Sequence, residues 1–302
     1  MTAQKFISSR AWGELLLLSI IWGGSFLAIR TALDEIPFVT SVAYRVGFAA
    51  LALVVWLRLS RQSLPRDAGL WARFAVMGLL NNVVPFLLMA WGQLHIPVGL
   101  TAILNSTTAV FAVLVAALVF ADERLTPSRI FGVLVGFLGV ATAIGLESFL
   151  SFDISSLAQL AVLAGTFSYA LAGSWARAQL GGVKPVVAAT GMLVASTAIM
   201  VPVALLIDGL PALPRAPQTY AAIGYYALVA TAFAYLLYYR VLAMAGSGNL
   251  LLCTLLVVPV AIVLGAAVRG ETLTLWNLVG FGLLALGLLI LDGRLTRRLL
   301  SA

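Results

Sequence analysis

The chain of 302 residues is too apolar for a soluble fold. Hydrophobic residues make up 62% and charged residues 10%, against about 45–50% and about 25% in soluble domains. Such a composition would leave apolar surface in water, so the expected solvent is lipid. The net charge of +7 comes from basic residues scattered singly between apolar runs, which argues against a nucleic-acid partner. One cysteine, Cys253, excludes an internal disulfide and a thiolate metal cluster.

Ten apolar runs follow one another, and each can hold the roughly 20 residues that span a hydrocarbon core. The first run follows Lys5 and Arg10, and we expect it to be retained because no small-x-small cleavage site follows it. In the first half the predicted helices cover residues 11–29, 37–57, from after Arg73 to 94, 97–120 and 127–146. In the second half they cover residues 154–176, 185–207, 216–239, 241–268 and 272–291.

The stretch from Leu94 to Gly139 returns in divergent form as Leu242 to Gly287. Both copies carry an E-x-L-T turn followed by two glycines, and they align without a gap. The aligned residues are Glu123 with Glu271, Leu125 with Leu273, Thr126 with Thr274, Gly132 with Gly280, and Gly139 with Gly287. This pattern indicates a doubled unit. We therefore predict two five-helix repeats, over residues 1–148 and 149–302.

The basic residues are strongly biased to one side of the predicted spans. With the N-terminal tail inside, 14 of them lie in cytoplasmic segments, while the opposite side holds Arg30, Arg215 and Arg269. This bias predicts that both termini are cytoplasmic. Because each repeat has an odd number of helices, the second enters the membrane from the other side. That is the inverted-topology pattern of secondary transporters, whose site lies near the midplane. No soluble domain interrupts the spans, so no ATPase partner is indicated.

Several segments resemble a known family. Helix 1 reads WGGSFLAIR, helix 2 reads AYRVGFAAL and helix 8 reads FAYLLYYRVLA, and each half has the E-x-L-T turn before a glycine-rich helix. From about Trp12 to Arg294, the chain resembles the EamA-type branch of the drug/metabolite transporter superfamily. The resemblance implies an all-α integral membrane protein with ten transmembrane helices around a central cavity, located in a bacterial inner membrane. It also implies export of amino acids or other small metabolites, and the pattern is most similar to aromatic amino-acid exporters. Helix 6 departs from the family pattern, with Tyr169 where tryptophan is usual.

Polar and aromatic side chains at membrane depth are the candidate substrate-binding residues, since such groups normally turn toward partners or water. The candidates are Trp22, Arg45, Asn81, Asn82, Thr101, Asn105, Tyr169, Tyr235, Tyr239, Asn249 and Cys253. Interhelical hydrogen bonding is the alternative role for the polar members. An interfacial aromatic belt is the alternative for Tyr239, which lies near a helix end.

Arg45 is the basic residue placed inside a span, so it has two interpretations. Its long side chain could reach outward to Asp34 or Glu35 as a structural pair, or it could recognise a substrate carboxylate. Glu14 lies near the cytoplasmic end of helix 1, where a surface role is favoured. His95 lies at the opposite mouth, where it fits an interfacial position or, as a sharper hypothesis, a pH sensor.

The sequence lacks the residues that a metal site or an enzyme active site requires. One histidine, one cysteine and no central carboxylate predict no metal site and no cofactor. No base stands beside a nucleophile, so we do not expect an enzyme. A transporter of nucleotide sugars or drugs is the main alternative, although a phosphorylated substrate would require paired Lys or Arg. The sequence predicts an exporter of aromatic or other apolar amino acids that works by alternating access without an obligatory coupling ion.

Overall fold

The computed structural model describes residues 8–121, 126–144, 154–210, 213–245 and 252–292. In these ranges all regular secondary structure is helical, and no strand occurs. The N-terminal half, up to residue 144, consists of α1 (Ser9–Ala32), α2 (Phe38–Leu59), α3 (Ala68–Gly92), α4 (Val98–Val119) and α5 (Pro127–Ile144). The C-terminal half consists of α6 (Ile154–Gln179), α7 (Pro185–Ile207), α8 (217–245), α9 (Leu252–Arg269) and α10 (Leu275–Asp292).

Seven of these helices, α1 to α4 and α6 to α8, are long and apolar enough to cross a membrane. The helices α5, α9 and α10 carry the shorter apolar stretches Ile130–Ala143, Leu256–Arg269 and Leu275–Ile290. Large apolar side chains remain exposed on the bundle, among them Leu118 and Leu206, both 86% exposed. Exposed apolar surface of this extent suits lipid rather than water. The chain is a multi-pass, all-helical membrane protein.

Local sequence sets the helix ends. The Ser8 hydroxyl accepts the Ala11 N–H at 3.2 Å, which satisfies an amide that has no partner in the first turn of α1. Asp67 does the same for α3 by accepting the Leu70 N–H at 2.6 Å. Pro37 stands at the N-cap of α2. These short-range signals fix where the spans begin.

The predicted boundary between helices 8 and 9 is wrong. The sequence places a break at Arg240, but α8 continues to Ala245 and α9 begins at Leu252. The Arg240 guanidinium lies at the exposed surface and donates a hydrogen bond to Glu14 of α1. Because the charge reaches water and a carboxylate, it does not interrupt the helix.

The helix α4 is interrupted, which the sequence analysis does not predict. Its two parts, Val98–Asn105 and Thr108–Val119, meet at a turn. Near this turn the hydroxyls of Ser106, Thr107 and Thr108 each donate to a carbonyl three residues earlier, at 2.6–2.7 Å. Short-range bonds of this kind replace helical ones. The carbonyls of the turn are therefore satisfied by their own segment.

Helices of each half pack against helices of the other half. The helix α1 lies against α8 and α9, while α6 lies against α3 and α4. The first helix of each half thus packs on the third and fourth helices of the other half. Two further large contacts join α2 to α7 and α5 to α10. Every one of these contacts crosses between the halves.

The glycines that follow the E-x-L-T turns lie where α5 and α10 cross. A Cβ atom on Gly139 would stand 2.5 Å from the Leu284 amide nitrogen and 2.7 Å from the Gly280 carbonyl oxygen. A Cβ atom on Gly287 would stand 2.6 Å from the Gly136 amide nitrogen. The helix backbones approach too closely for any side chain at these positions. Of the two turn carboxylates, Glu271 accepts the Gly99 N–H at the start of α4 at 3.4 Å, and Glu123 lies outside the described residues.

Candidate functional site

Two helices leave regular α-helical winding at matching places. The helix α3 contains a π-helical segment at Leu79–Val83, and α8 contains one at Tyr225–Phe233. Adding the repeat spacing of 148 residues to 79–83 gives 227–231, which falls inside the α8 segment. Short π segments within α-helices are frequent at functional sites because they displace backbone groups from their usual partners.

The π segment of α8 receives side chains from both α1 and α2. Trp22 of α1 donates its Nε1–H to the Ala230 carbonyl at 3.2 Å. Arg45 of α2 donates its Nε–H to the Thr231 hydroxyl oxygen at 3.0 Å. Thr231 in turn donates its hydroxyl to the Tyr226 carbonyl, five residues earlier, at 2.7 Å. Two predicted site residues therefore meet on one distorted turn.

The π segment of α3 is the centre of a second network. Asn81 donates to the Tyr235 hydroxyl at 2.8 Å, and this hydroxyl donates to Asn82 Oδ1 at 3.1 Å. Asn82, fully buried, donates to the Ser196 hydroxyl at 3.0 Å. Ser168 donates to the Leu80 carbonyl at 2.7 Å. This network connects α3 with three helices of the other half, α6, α7 and α8.

Arg45 also contacts α3, the helix that carries the second network. Its guanidinium carbon lies 3.8 Å from the centroid of the Phe86 ring. Tyr169 and Tyr235 are close enough to interact with its charge. The predicted residues Trp22, Arg45, Asn81, Asn82 and Tyr235 thus lie on the π segments or bond to them. Tyr169 and Tyr239, like Tyr235, pack on the apolar cluster that contains Phe86.

The predicted pairing of Arg45 with Asp34 or Glu35 is wrong. Asp34 instead accepts hydrogen bonds from Arg30 at 2.7 Å and from Arg269 at 2.8 Å. Burial by itself would raise the pKa of Asp34, but the hydrogen bonds and charges of the two arginines outweigh it and lower the pKa. Arg45 instead donates to Thr231 of α8.

Two more carboxylates join the halves at the same end of the bundle. Glu35 accepts the Ala216 N–H at 3.2 Å, and hydrogen bonds from Thr219 and then Ala216 lower its pKa. Asp208 accepts both the backbone N–H and the hydroxyl of Thr40, at 2.8 and 2.6 Å. Together with Asp34, they close this end of the interface between the halves.

Three predicted residues are not brought into the site, and a fourth falls outside the described residues. Thr101 is fully buried and donates to the Pro97 carbonyl within its own helix. Cys253 is buried between α1 and α9, where its sulfur accepts a hydrogen bond from Ser19. Asn105 is partly buried at the end of the first part of α4, and Asn249 lies outside the described ranges.

Sequence reasoning missed four contributors, namely Phe86, Ser168, Ser196 and Thr231. One signal for the α3 segment was present, because Pro85 lacks the N–H that would bond the Asn81 carbonyl in a regular helix. The α8 segment has no proline, and its only sequence mark is Thr231. Serine and threonine are common in membrane helices, so residue type alone does not separate these positions from packing residues.

Two cavities differ in size and in their position relative to the site. The cavity beside Arg45, lined by Ser41, Phe86 and Tyr226 among others, measures ≈ 10 Å³, room for about one water molecule. A larger groove of ≈ 270 Å³ opens between α2 and α7, lined by Tyr44, Phe48 and other apolar residues. It lies on the flank of the bundle and touches none of the predicted site residues. The cavity beside Arg45 is by itself too small to hold an amino acid.

Within the described ranges, no three His, Cys, Asp or Glu side chains lie close enough to hold a metal ion. The hydroxyls near the α4 turn are engaged with their own carbonyls, as described above. The arrangement at the π segments therefore offers hydrogen-bond donors, aromatic faces and one guanidinium. Groups of this kind can bind and orient a small polar molecule with an apolar part.

Comparison with known proteins identifies the family of the chain. It is 28% identical to the "Probable terminal-alkyne amino-acid exporter" of Streptantibioticus cattleyicolor over 95% of this chain and 94% of that protein. It is 25% identical to the "Uncharacterized inner membrane transporter YedA" of Escherichia coli K12 over 92% of this chain and 89% of that protein. A protein of known crystal structure aligns with this chain over 97% of this chain and 99% of its own chain. The TM-score is 0.68 at 17% sequence identity, which shows a shared fold. The sequence profile of the EamA-like transporter family matches residues 11–145 and 156–291. The chain belongs to the EamA-like transporter family.

Proposed function

We propose that the protein exports small metabolites, namely amino acids with aromatic or other apolar side chains. It does so by alternating access and without an obligatory coupling ion. Membership of the family makes it a membrane transporter. The substrate class is supported by the site, which combines Tyr169, Tyr235 and Phe86 with one guanidinium and two amides. One relative is named as an amino-acid exporter, over nearly the whole of both chains.

The observation that carries the proposal is the network around Asn82. It joins α3 to α7 through a buried hydrogen bond and to α8 through partly buried ones, and it crosses between the halves. Polar side chains at membrane depth commonly mark a substrate path. A substrate that separates the halves would exchange these bonds for bonds to itself. This is the differential contact that alternating access requires.

We also propose ten spans in two inverted repeats, over residues 1–148 and 149–302. The family matches one range in each half, and the cross-half packing of α1 and α6 is the same in both directions. The shorter helices α5, α9 and α10 would complete the ten. The charge bias supports a position in the inner membrane with both termini in the cytoplasm, and one relative is named as an inner membrane transporter.

The main alternative is a carrier of nucleotide sugars or other phosphorylated metabolites. Such a ligand needs several cations to balance its charge, and Arg45 is the described cation that contacts the π-segment networks. The absence of a described base beside a nucleophile gives no support to an enzyme. The site therefore favours a neutral zwitterion.

The test is transport into proteoliposomes with a panel of labelled substrates. The panel holds aromatic, aliphatic and charged amino acids, a nucleotide sugar and a lipophilic cation. Saturable transport of aromatic or aliphatic amino acids, absent from empty liposomes, is the expected result. Transport of the nucleotide sugar or the cation, with no amino acid transported, would overturn the proposed substrate class.

A further inference from the structure

Arg45 has a hydrogen-bonding edge that the described part of the protein does not use. Its Nε–H is taken by Thr231, and one face of the guanidinium lies on Phe86. Among the described residues, Nη1 and Nη2 have no hydrogen-bond or ion-pair partner. We propose that this edge is a carboxylate site, in which Nη1 and Nη2 bind the carboxylate of the transported substrate as a bidentate pair. The inference rests on the proposed function and names the group that is recognised.

Thr231 and Phe86 position the guanidinium. Because the Thr231 hydroxyl proton is donated to the Tyr226 carbonyl, its oxygen presents a lone pair to the Arg45 Nε–H. The Tyr226 carbonyl lies in the same π segment of α8 as Thr231. The Phe86 ring fixes the plane of the guanidinium from one side by a cation–π contact. The Arg45 guanidinium is therefore held in one orientation before a substrate binds.

The surroundings fit the rest of an amino acid. Within the described residues, the Tyr169 hydroxyl and Asn81 Oδ1 have no hydrogen-bond partner. Both can accept a hydrogen bond from a substrate ammonium group. No described carboxylate contacts this region, so the carboxylate of the substrate is bound by charge and the ammonium by neutral acceptors. The site should therefore discriminate against loss of the carboxylate more strongly than against loss of the amine.

A phosphate would bind the same edge less well. It carries more negative charge than one guanidinium balances, and the described residues supply no second cation beside Arg45. A planar carboxylate matches the fork with two parallel hydrogen bonds. The ligand is therefore a monocarboxylate with an apolar side chain.

The experiment measures competition against labelled L-phenylalanine transport in proteoliposomes. The competitors are 3-phenylpropionate, which keeps the carboxylate, and L-phenylalaninamide and 2-phenylethylamine, which lack it. In the wild type, 3-phenylpropionate should compete roughly 10- to 100-fold better than the other two, the range expected for a hydrogen-bonded charge. Equal competition by all three compounds would overturn the carboxylate site without any variant.

Variants test whether the preference for carboxylates depends on Arg45 and Thr231. Arg45→Gln should raise the KM for L-phenylalanine roughly 10- to 100-fold and remove the preference for carboxylates. Thr231→Val should raise the KM in the same sense, and Thr231→Ser, which keeps the hydroxyl, should restore it. The control is Arg66→Gln, which removes an exposed cation ahead of α3 and should leave the KM unchanged.

The outcomes separate this inference from the proposed function. If L-phenylalanine is transported but Arg45→Gln keeps the wild-type preference for carboxylates, the carboxylate site is refuted and the proposed function stands. If the wild type transports no amino acid of the panel, the proposed function fails and this inference fails with it. Should Arg45→Gln not yield monodisperse protein, Arg45→Lys replaces it; a single ammonium cannot form the bidentate pair, so the carboxylate preference should still fall.

Discussion

The α5–α10 crossing offers a test of the packing between the halves. In Gly139→Ala the new Cβ atom would lie 2.5 Å from the Leu284 amide nitrogen, 2.9 Å from Leu284 Cα and 2.7 Å from the Gly280 carbonyl oxygen. All three are backbone atoms, so no side chain can rotate away and the helices must separate. Overpacking typically costs about 1–3 kcal/mol, and a backbone clash belongs at the upper end. At about 2–4 °C per kcal/mol, the apparent melting temperature should fall by about 5–10 °C.

The assay is thermal unfolding in detergent, followed by size-exclusion chromatography of the protein that stays monodisperse. Gly282→Ala is the matched control, because Gly282 lies on α10 between two contact glycines and a Cβ there meets nothing within 4 Å. That variant should match the wild type or exceed it slightly, since alanine favours the helix by about 1 kcal/mol. Equal melting temperatures for Gly139→Ala and Gly282→Ala would refute the close crossing.

Three further predictions concern the site, the Asp34 end and the topology. Trp22→Ala and Tyr169→Ala should each raise the transport KM by about 2- to 12-fold, because aromatic contacts contribute about 0.5–1.5 kcal/mol; unchanged kinetics in both monodisperse variants would mean that the rings only pack helices. Asp34→Asn should lower the apparent melting temperature slightly at pH 7. The pKa of Asp34 is lowered, so its contribution is present above the ordinary value of 3.8 and is lost as the pH falls through the lowered pKa; a difference from wild type that disappears already between pH 6 and 5 would contradict this. Tags on both termini should resist protease in intact spheroplasts, and a C-terminus that is cleaved from outside would refute both ten spans and the inverted repeat.

Much of the fold could be predicted from the sequence because lipid imposes simple requirements. Each run of about 20 apolar residues must satisfy its own backbone hydrogen bonds, which leaves the helix as the available structure. The glycines after the E-x-L-T turns were also informative, because Gly139 and Gly287 both lie at the α5–α10 crossing. The predicted helix break at Arg240 is wrong because a charge near a helix end can reach water without breaking the helix.

The site was predictable only in part. Polar residue type at membrane depth identified Asn81, Asn82 and Arg45, since each carries more hydrogen-bonding groups than its own helix can satisfy. The same reasoning also selected Thr101, whose hydroxyl is satisfied by a carbonyl one turn earlier. The π segment of α8 could not be predicted, because nothing in its sequence besides Thr231 marks a change of helical winding. The partner of Arg45 follows from tertiary packing.

The central claim is that the protein carries an amino acid between two inverted halves without an obligatory ion. The direct measurement is counterflow in proteoliposomes loaded with unlabelled L-phenylalanine, with labelled substrate outside. Entry of label should proceed without a pH gradient or sodium, and an imposed membrane potential should not change it, because a zwitterion carries no net charge. Accumulation of substrate against its own gradient, driven by either ion, would contradict the account.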